Sequence, residues 1–159
     1  RAALGGEKVR QKGTVGMAKK VNKSVVIGTI GQDAHMIGGW VLAEAYREAG
    51  FRVAFLGAVV PQEEFVQAAV ETDADAILVS SSYGMGIIDC EGLREKCIEA
   101  GLDDIILYAG GTVAAPLDIV ERWPEIEKRF AEMGFNRDFK NTCTAAQSIA
   151  TLKADLGID

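Results

Sequence analysis

Ser24-Val25-Val26-Ile27-Gly28-Thr29-Ile30-Gly31-Gln32-Asp33-Ala34-His35-Met36-Ile37-Gly38 is the stretch on which the fold turns. Its first seven residues are apolar or small without alternation, the pattern of a strand buried on both faces of a parallel sheet. A short polar loop follows and leads into an amphipathic stretch, Met36 to Ala49. The same unit recurs along the chain. Apolar runs stand at Arg52 to Leu56, Ala76 to Ser80 and Ile105 to Ala109, with a weaker one at Arg137 to Lys140. Helical stretches follow them at Gln62 to Thr72, Cys90 to Ala100, Pro124 to Met133 and Ala145 to Leu156.

The punctuation agrees with this division. Gly50-Phe51, Gly101-Leu102, Gly134-Phe135 and Gly157-Ile158 each put glycine just past a helical stretch, with an apolar residue after it. That is the pattern of a left-handed helix close whose next side chain packs back on the last turn. Pro61 suits a first helical turn, where no N–H is needed. Thr144 and Gln147 have capping-box spacing. Strands alternating with helices predict an α/β, doubly wound, five-stranded parallel sheet of flavodoxin-like (Rossmann-like) type, strand order 2-1-3-4-5. Ligands of such sheets bind beyond the carboxyl ends of the strands, where the order reverses. Function is therefore expected in the loops Gly31 to Gly38, Ser80 to Gly86, Gly110 to Pro116 and Lys140 to Thr144.

Composition narrows the classes. The 159 residues fit one domain, with 48% apolar and 25% charged residues as in ordinary globular chains. No apolar run reaches the length of a membrane span. The cysteines, Cys90, Cys97 and Cys143, are odd in number and form no CxxC pair, the usage of a reducing cytoplasm rather than of a disulfide framework or zinc site. The net charge of -6 conceals a basic arm. Residues 1–23 carry seven Lys or Arg against Glu7, about +6, which leaves about −12 for residues 24–159. That acidic body repels phosphate backbones, so nucleic acid is not an expected partner. The arm has no aromatic residue and no helical apolar stripe, so it is read as a flexible basic segment or linker ahead of a domain spanning 24–159.

Chemistry concentrates on the first loop. His35 is the only histidine, and Asp33 lies two residues before it at a strand end. A carboxylate that takes one imidazole N–H fixes the tautomer and aims the other nitrogen outward, as metal-binding histidines require. With one His and no neighbouring Cys, a closed tetrahedral zinc site is implausible. A cofactor that brings its own equatorial ligands and needs one axial imidazole fits. Gly38 allows the following helix to approach a bulky ligand. The third strand ends in Ser80-Ser81-Ser82-Tyr83-Gly84-Met85-Gly86, and the fourth in Gly110-Gly111-Thr112-Val113. The serines leave space and donors, and the paired glycines allow close backbone approach. Taken alone, the serine segment is equally the mark of an ordinary strand-to-helix turn, and paired glycines mark a turn more often than a site. Two neighbouring classes fail here. A receiver domain needs Asp where the third strand ends in Ser, and a flavodoxin needs a hydroxyl-rich first loop where Asp33 and His35 stand.

These residues resemble the cobalamin (B12)-binding family, whose signature is D-x-H-x-x-G, then S-x-L, then G-G. Asp33-x-His35-x-x-Gly38 is followed by 41 residues and Ser80, and 27 residues separate Ser82 from Gly110-Gly111. Within that family the chain is similar to the small (sigma) subunits of glutamate mutase, or methylaspartate mutase. The similarity runs through Pro61-Gln62-Glu63, Ala74 to Ser81, Ile88 to Arg94, Glu99 to Leu102 and Trp123 to Phe130. The departures are Ser82 for Leu, Thr112 for Asn, and Asn141-Thr142-Cys143-Thr144 for a Pro-Gly-Thr sequence; the first removes an apolar contact to the cofactor tail.

The resemblance implies adenosylcobalamin with its dimethylbenzimidazole tail detached from cobalt and buried near Ser80 and Gly110-Gly111. It implies His35 as metal ligand at the lower axial position, steered by Asp33, these two carrying the chemistry. Cofactor contacts would come from Gln32, Asp33, Ala34, His35, Met36, Ile37 and Gly38. Further contacts would come from Ser80, Ser81, Ser82, Tyr83 and Gly84, and from Gly110, Gly111, Thr112 and Val113. Cobalt–carbon homolysis would supply a radical for an isomerase reaction, glutamate to 3-methylaspartate. The substrate would sit on a large barrel-fold partner subunit, since this chain offers no cationic pocket for a dicarboxylate. Asp33→Asn is expected to be milder than loss of His35, because an amide still accepts the imidazole N–H. The alternatives are a corrinoid carrier for methyl transfer, which usually has a covering helical segment that the basic arm cannot form, and a cobalamin-sensing module.

Overall fold

A computed structural model of the chain describes residues 19–113, 119–140 and 142–159. The strands are β1 (Ser24–Thr29), β2 (Arg52–Phe55), β3 (Ala76–Ser81), β4 (Ile106–Gly111) and β5 (Arg137–Phe139). All neighbouring pairs are parallel, in the order β2-β1-β3-β4-β5. The helices are α1 (Met36–Glu48), α2 (Gln62–Thr72), α3 (Gly86–Asp89), α4 (Leu93–Glu99), α5 (Ile119–Glu132) and α6 (Ala145–Asp155).

Strand alternation sorts the core into two layers. Val26, Ile77, Val79, Leu107 and Ala109 face Phe65 of α2, Leu93 and Cys97 of α4, and Trp123, Ile126 and Phe130 of α5. Val25, Ile27, Leu78 and Tyr108 face Ala43 and Tyr46 of α1 and Leu152 of α6. The sheet is thus wound on both faces, as the run of unalternating strands predicts.

Four helices close as the glycines require. Gly50, Gly101, Gly134 and Gly157 all have positive φ. The next residue's N–H reaches back five positions, from Phe51 to Tyr46, Leu102 to Cys97, Phe135 to Phe130 and Ile158 to Lys153. Thr144 and Gln147 form the reciprocal capping box at the start of α6. Of the basic arm, residues 1–18 lie outside the described residues. Val21 donates to the Gly50 carbonyl, and Lys23 pairs with Asp75 at 3.3 Å.

Three element boundaries differ from the sequence reading. The helix expected from Cys90 to Ala100 starts only at Leu93, after a left-handed turn at Gly92 (φ 86°), and a separate short helix, Gly86–Asp89, precedes it. Helix α5 begins at Ile119 and carries Pro124 inside rather than at its start. One missing intrahelical bond near that end is offset by burial of Trp123, Ile126 and Phe130. Ser81, Gly110 and Gly111, expected in loops, extend the strands through the pairs Ser80–Gly110 and Ser81–Gly111.

Candidate functional site

Three loops meet at the carboxyl end of the sheet, on either side of the place where strand order reverses between β1 and β3. The loop after β1 places His35 at the N-terminal boundary of α1, with no side-chain cap of its own. Asp33, two residues earlier, has its carboxylate wholly buried. Asp33 Oδ1 accepts the His35 backbone N–H at 2.9 Å and lies 2.6 Å from His35 Nδ1. Its Oδ2 accepts the Ser82 backbone N–H at 2.5 Å. Burial pushes the Asp33 carboxyl up, but the two backbone N–H donors and the imidazole outweigh it and hold the group below the usual carboxylate range. The imidazole is 68% exposed, and among the described residues only its Nδ1 has a protein hydrogen-bond partner.

Beside this pair a cavity of about 340 Å³ opens between the sheet, α1 and α6. Its floor is Leu78, Ser80, Tyr108, Gly110 and Gly111; its walls include Gly38, Val41 and Leu42 on one side and Phe139, Lys140, Cys143 and Ser148 on the other. Gly111 has φ 95°, and a Cβ there would lie 2.2 Å from the Ser81 carbonyl oxygen. Only glycine closes β4 against β3 at this point. Across the cavity Tyr46 of α1 and Ser148 of α6 share a buried hydrogen bond of 2.7 Å, and burial lifts the Tyr46 phenol to about 12. Tyr108 packs edge-on against Phe139 and donates to Asp155, which Arg137 also holds.

The residues singled out from sequence separate into groups. Gly38, Ser80, Gly110 and Gly111 line the cavity. Asp33 and His35 do not line it; they lie in the loop just ahead of Gly38, with Ala34, Met36 and Ile37 exposed around them. Ser82 holds Asp33 through its backbone, and Tyr83 accepts the Gln32 N–H at 3.4 Å. Gly84 donates to the Thr112 carbonyl, tying the third loop to the fourth. Ser81 and Val113 face the opposite layer; the Ser81 hydroxyl is buried without a partner among the described residues, and Val113 belongs to the core. The loop Lys140 to Thr144, where the sequence reading expected function, supplies Lys140, Cys143 and Thr144 to the far wall, but that reading missed Phe139 and Ser148 beside it and the exposed Trp40. No helix among the described residues is long and apolar enough to cross a membrane.

The donor set suits a corrinoid. Among the described residues no group of three or more His, Cys, Asp or Glu could hold a metal ion. A metal at His35 therefore needs its other ligands from a cofactor, and the neighbouring cavity is walled largely by apolar side chains.

Comparison with known proteins places the chain in a family. Residues 23–127 match the family described as B12 binding domain. Glutamate mutase sigma subunit of Clostridium cochlearium is 48% identical over 137 residues, 86% of this chain and 98% of that one. Its counterpart from Carboxydothermus hydrogenoformans is 51% identical over 140 residues, 88% of this chain and 98% of that one. A cobalamin-binding protein from Desulfitobacterium hafniense shares the fold at 21% identity and a TM-score of 0.66. There the match covers 83% of this chain but only 58% of the other. The chain belongs to the B12-binding domain family, among relatives that carry the name glutamate mutase sigma subunit.

Proposed function

We propose that this chain is the cobalamin-binding small subunit of a cytoplasmic, adenosylcobalamin-dependent mutase that interconverts glutamate and 3-methylaspartate, with His35 Nε2 as the lower axial cobalt ligand. The observation that carries the reading is the Asp33–His35 pair, in which a buried carboxylate holds Nδ1, the only nitrogen of the exposed ring with a protein partner among the described residues. The bound cofactor supplies a carbon radical by homolysis of its cobalt–carbon bond. The protein's part is to bind and orient it. Asp33 engages Nδ1, which orients the ring and leaves Nε2 as the nitrogen to meet a metal. The cavity takes the detached dimethylbenzimidazole tail, with Ser80 and Ser148 as polar contacts and Leu78, Tyr108 and Phe139 as apolar walls. Met36, Ile37 and Trp40 form an apolar rim beside His35. Lys140 is the cation at the cavity, and it lies over the Trp123 ring, 5.4 Å from the centroid. A dicarboxylate substrate has no clamp in such surroundings, which supports placing it on a large barrel-fold partner subunit.

The test is paramagnetic resonance of 15N-labelled protein carrying cobalamin with cobalt reduced to the divalent state. Superhyperfine coupling from a protein nitrogen, absent in His35→Ala, is expected. Coupling from the cofactor's own benzimidazole alone would overturn the axial assignment.

A further inference from the structure

Asp33 is held by Ser82, but a second tie between the same two loops is made by a residue pair outside the axial ligation just described. The Tyr83 hydroxyl donates to Asp89 Oδ2 at the end of α3 and accepts the Gln32 backbone N–H at 3.4 Å. Asp89 is itself fixed. Gln62 of α2 donates through Nε2 to the carbonyls of Asp89 and Glu91 at 2.6 and 2.7 Å. The Asp89 carboxylate also fills the space beside Gly31, which has φ 72° and where a Cβ would lie 2.4 Å from Asp89 Oδ2. The loop that carries Asp33 and His35 is thus pressed against Asp89 at Gly31 and tethered through Tyr83 at Gln32.

The polarity of the chain is defined. An ionised Asp89 accepts from Tyr83, and a hydroxyl whose proton is engaged by a carboxylate is the better acceptor for the Gln32 N–H. Burial, and then the hydrogen bond to Asp89, hold the Tyr83 phenol proton on above its ordinary range, which keeps this direction. Consecutive residues Ser82 and Tyr83 therefore grip consecutive residues Asp33 and Gln32.

We propose that Tyr83 and Asp89 are positioning residues that set the placement of His35 by holding Gln32, with no contact to cobalt required of either. The proposal rests on the axial reading for its functional consequence only. The tie itself belongs to the protein without cofactor and can be measured there.

The experiment compares wild type, Tyr83→Phe, Asp89→Ala, Asp89→Asn and the Tyr83→Phe/Asp89→Ala double variant. The first readout is amide hydrogen exchange in the cofactor-free protein. Loss of one hydrogen bond should raise exchange at Gln32 about two- to tenfold in Tyr83→Phe and Asp89→Ala, with the amides of β1 and β3 unchanged. Asp89→Asn, which still accepts from the phenol, should fall nearer wild type. The double variant should be no worse than either single variant, because both break one chain. The second readout is the protein-nitrogen coupling of divalent cobalt in bound cobalamin, expected weakened or heterogeneous in Tyr83→Phe and restored in Asp89→Asn. Unchanged Gln32 exchange in Tyr83→Phe, or additive effects in the double variant, would overturn the proposal. Altered exchange together with unaltered coupling would overturn the positioning role. Absence of protein-nitrogen coupling in wild type would instead defeat the axial reading.

Discussion

Asp33 and His35 meet twice at one oxygen: Oδ1 takes both the backbone N–H and ring Nδ1 of the histidine, while Oδ2 is spent on Ser82. The carboxylate thereby fixes where the histidine backbone turns into α1 and which way its ring faces. Orientation of the ring is then a property of a buried anion, and the exposed imidazole contributes little to the core.

His35→Ala should therefore cost only about 0.5–1.5 kcal/mol of folding stability, the net worth of the ring's hydrogen bond, because Asp33 Oδ1 keeps the backbone N–H. It should abolish protein-nitrogen coupling to cobalt and weaken cobalamin binding. Thermal melts of the cofactor-free variant beside cobalamin titrations check both halves.

Asp33→Asn is costlier than the sequence alone suggests. The carboxylate accepts with both oxygens, whereas an amide has one acceptor and must turn its NH₂ toward Ser82 N–H or the imidazole. Loss of cobalamin affinity of about 10–100-fold is expected, together with a stability loss of about 1–3 kcal/mol. The folded carboxyl lies below its unfolded value, so wild type has this stability above that unfolded value and loses it as pH falls through the folded one. The wild type–variant gap in denaturant midpoint should close at acid pH.

Asp138 behaves oppositely. On β5 its Oδ2 is buried without a hydrogen-bond partner among the described residues, and burial, then the nearby Glu127, raise the carboxyl to about 6. The folded protein holds this proton more tightly than the unfolded chain, so stability falls as pH rises from the unfolded value through about 6. Asp138→Asn should be more stable than wild type by about 1–2 kcal/mol at pH 8, allowing for partial exposure. The gain should vanish near pH 4. Urea unfolding at both pH values distinguishes this from a gain independent of pH.

Gly111→Ala should cost at least about 2 kcal/mol, because a left-handed backbone and a contact with the Ser81 carbonyl penalise any Cβ. Cobalamin binding should fall with it, since the two strand ends form the cavity floor. Equal stability of the alanine variant would show that β4 can shift without consequence.

The isolated chain should bind cobalamin yet show no turnover of glutamate. Activity should appear when a large subunit from a related mutase is added with adenosylcobalamin. Turnover by this chain alone would refute the two-subunit reading.

The fold was legible because its signals are local. Each glycine close is written in a handful of consecutive residues, and the Thr144–Gln147 box within four. The left-handed close of α2 at Asp73 lacked such a signal, since no glycine marks it. Asp33 and His35 were legible for the same reason: their geometry spans one turn of chain. The partners of that pair were not. Ser82 reaches Asp33 across 49 residues and Tyr83 reaches Gln32 across 51, through a separation fixed only when β1 and β3 pair. The cavity wall from Phe139 to Ser148 depends likewise on α6 docking beside α1.

The bond between Tyr46 and Ser148 joins residues 102 positions apart, in the first helix and the last. Contacts of such separation pay most loop-closure entropy and form late. During synthesis β1 and the histidine loop emerge well before α6, the second wall of the cavity. A nascent or truncated chain could offer its imidazole and still have nowhere to lodge a tail. Cofactor retention thus reports on docking of α6 against α1, and the free energy of binding accrues to that docked state alone, as RT ln(1 + [L]/Kd).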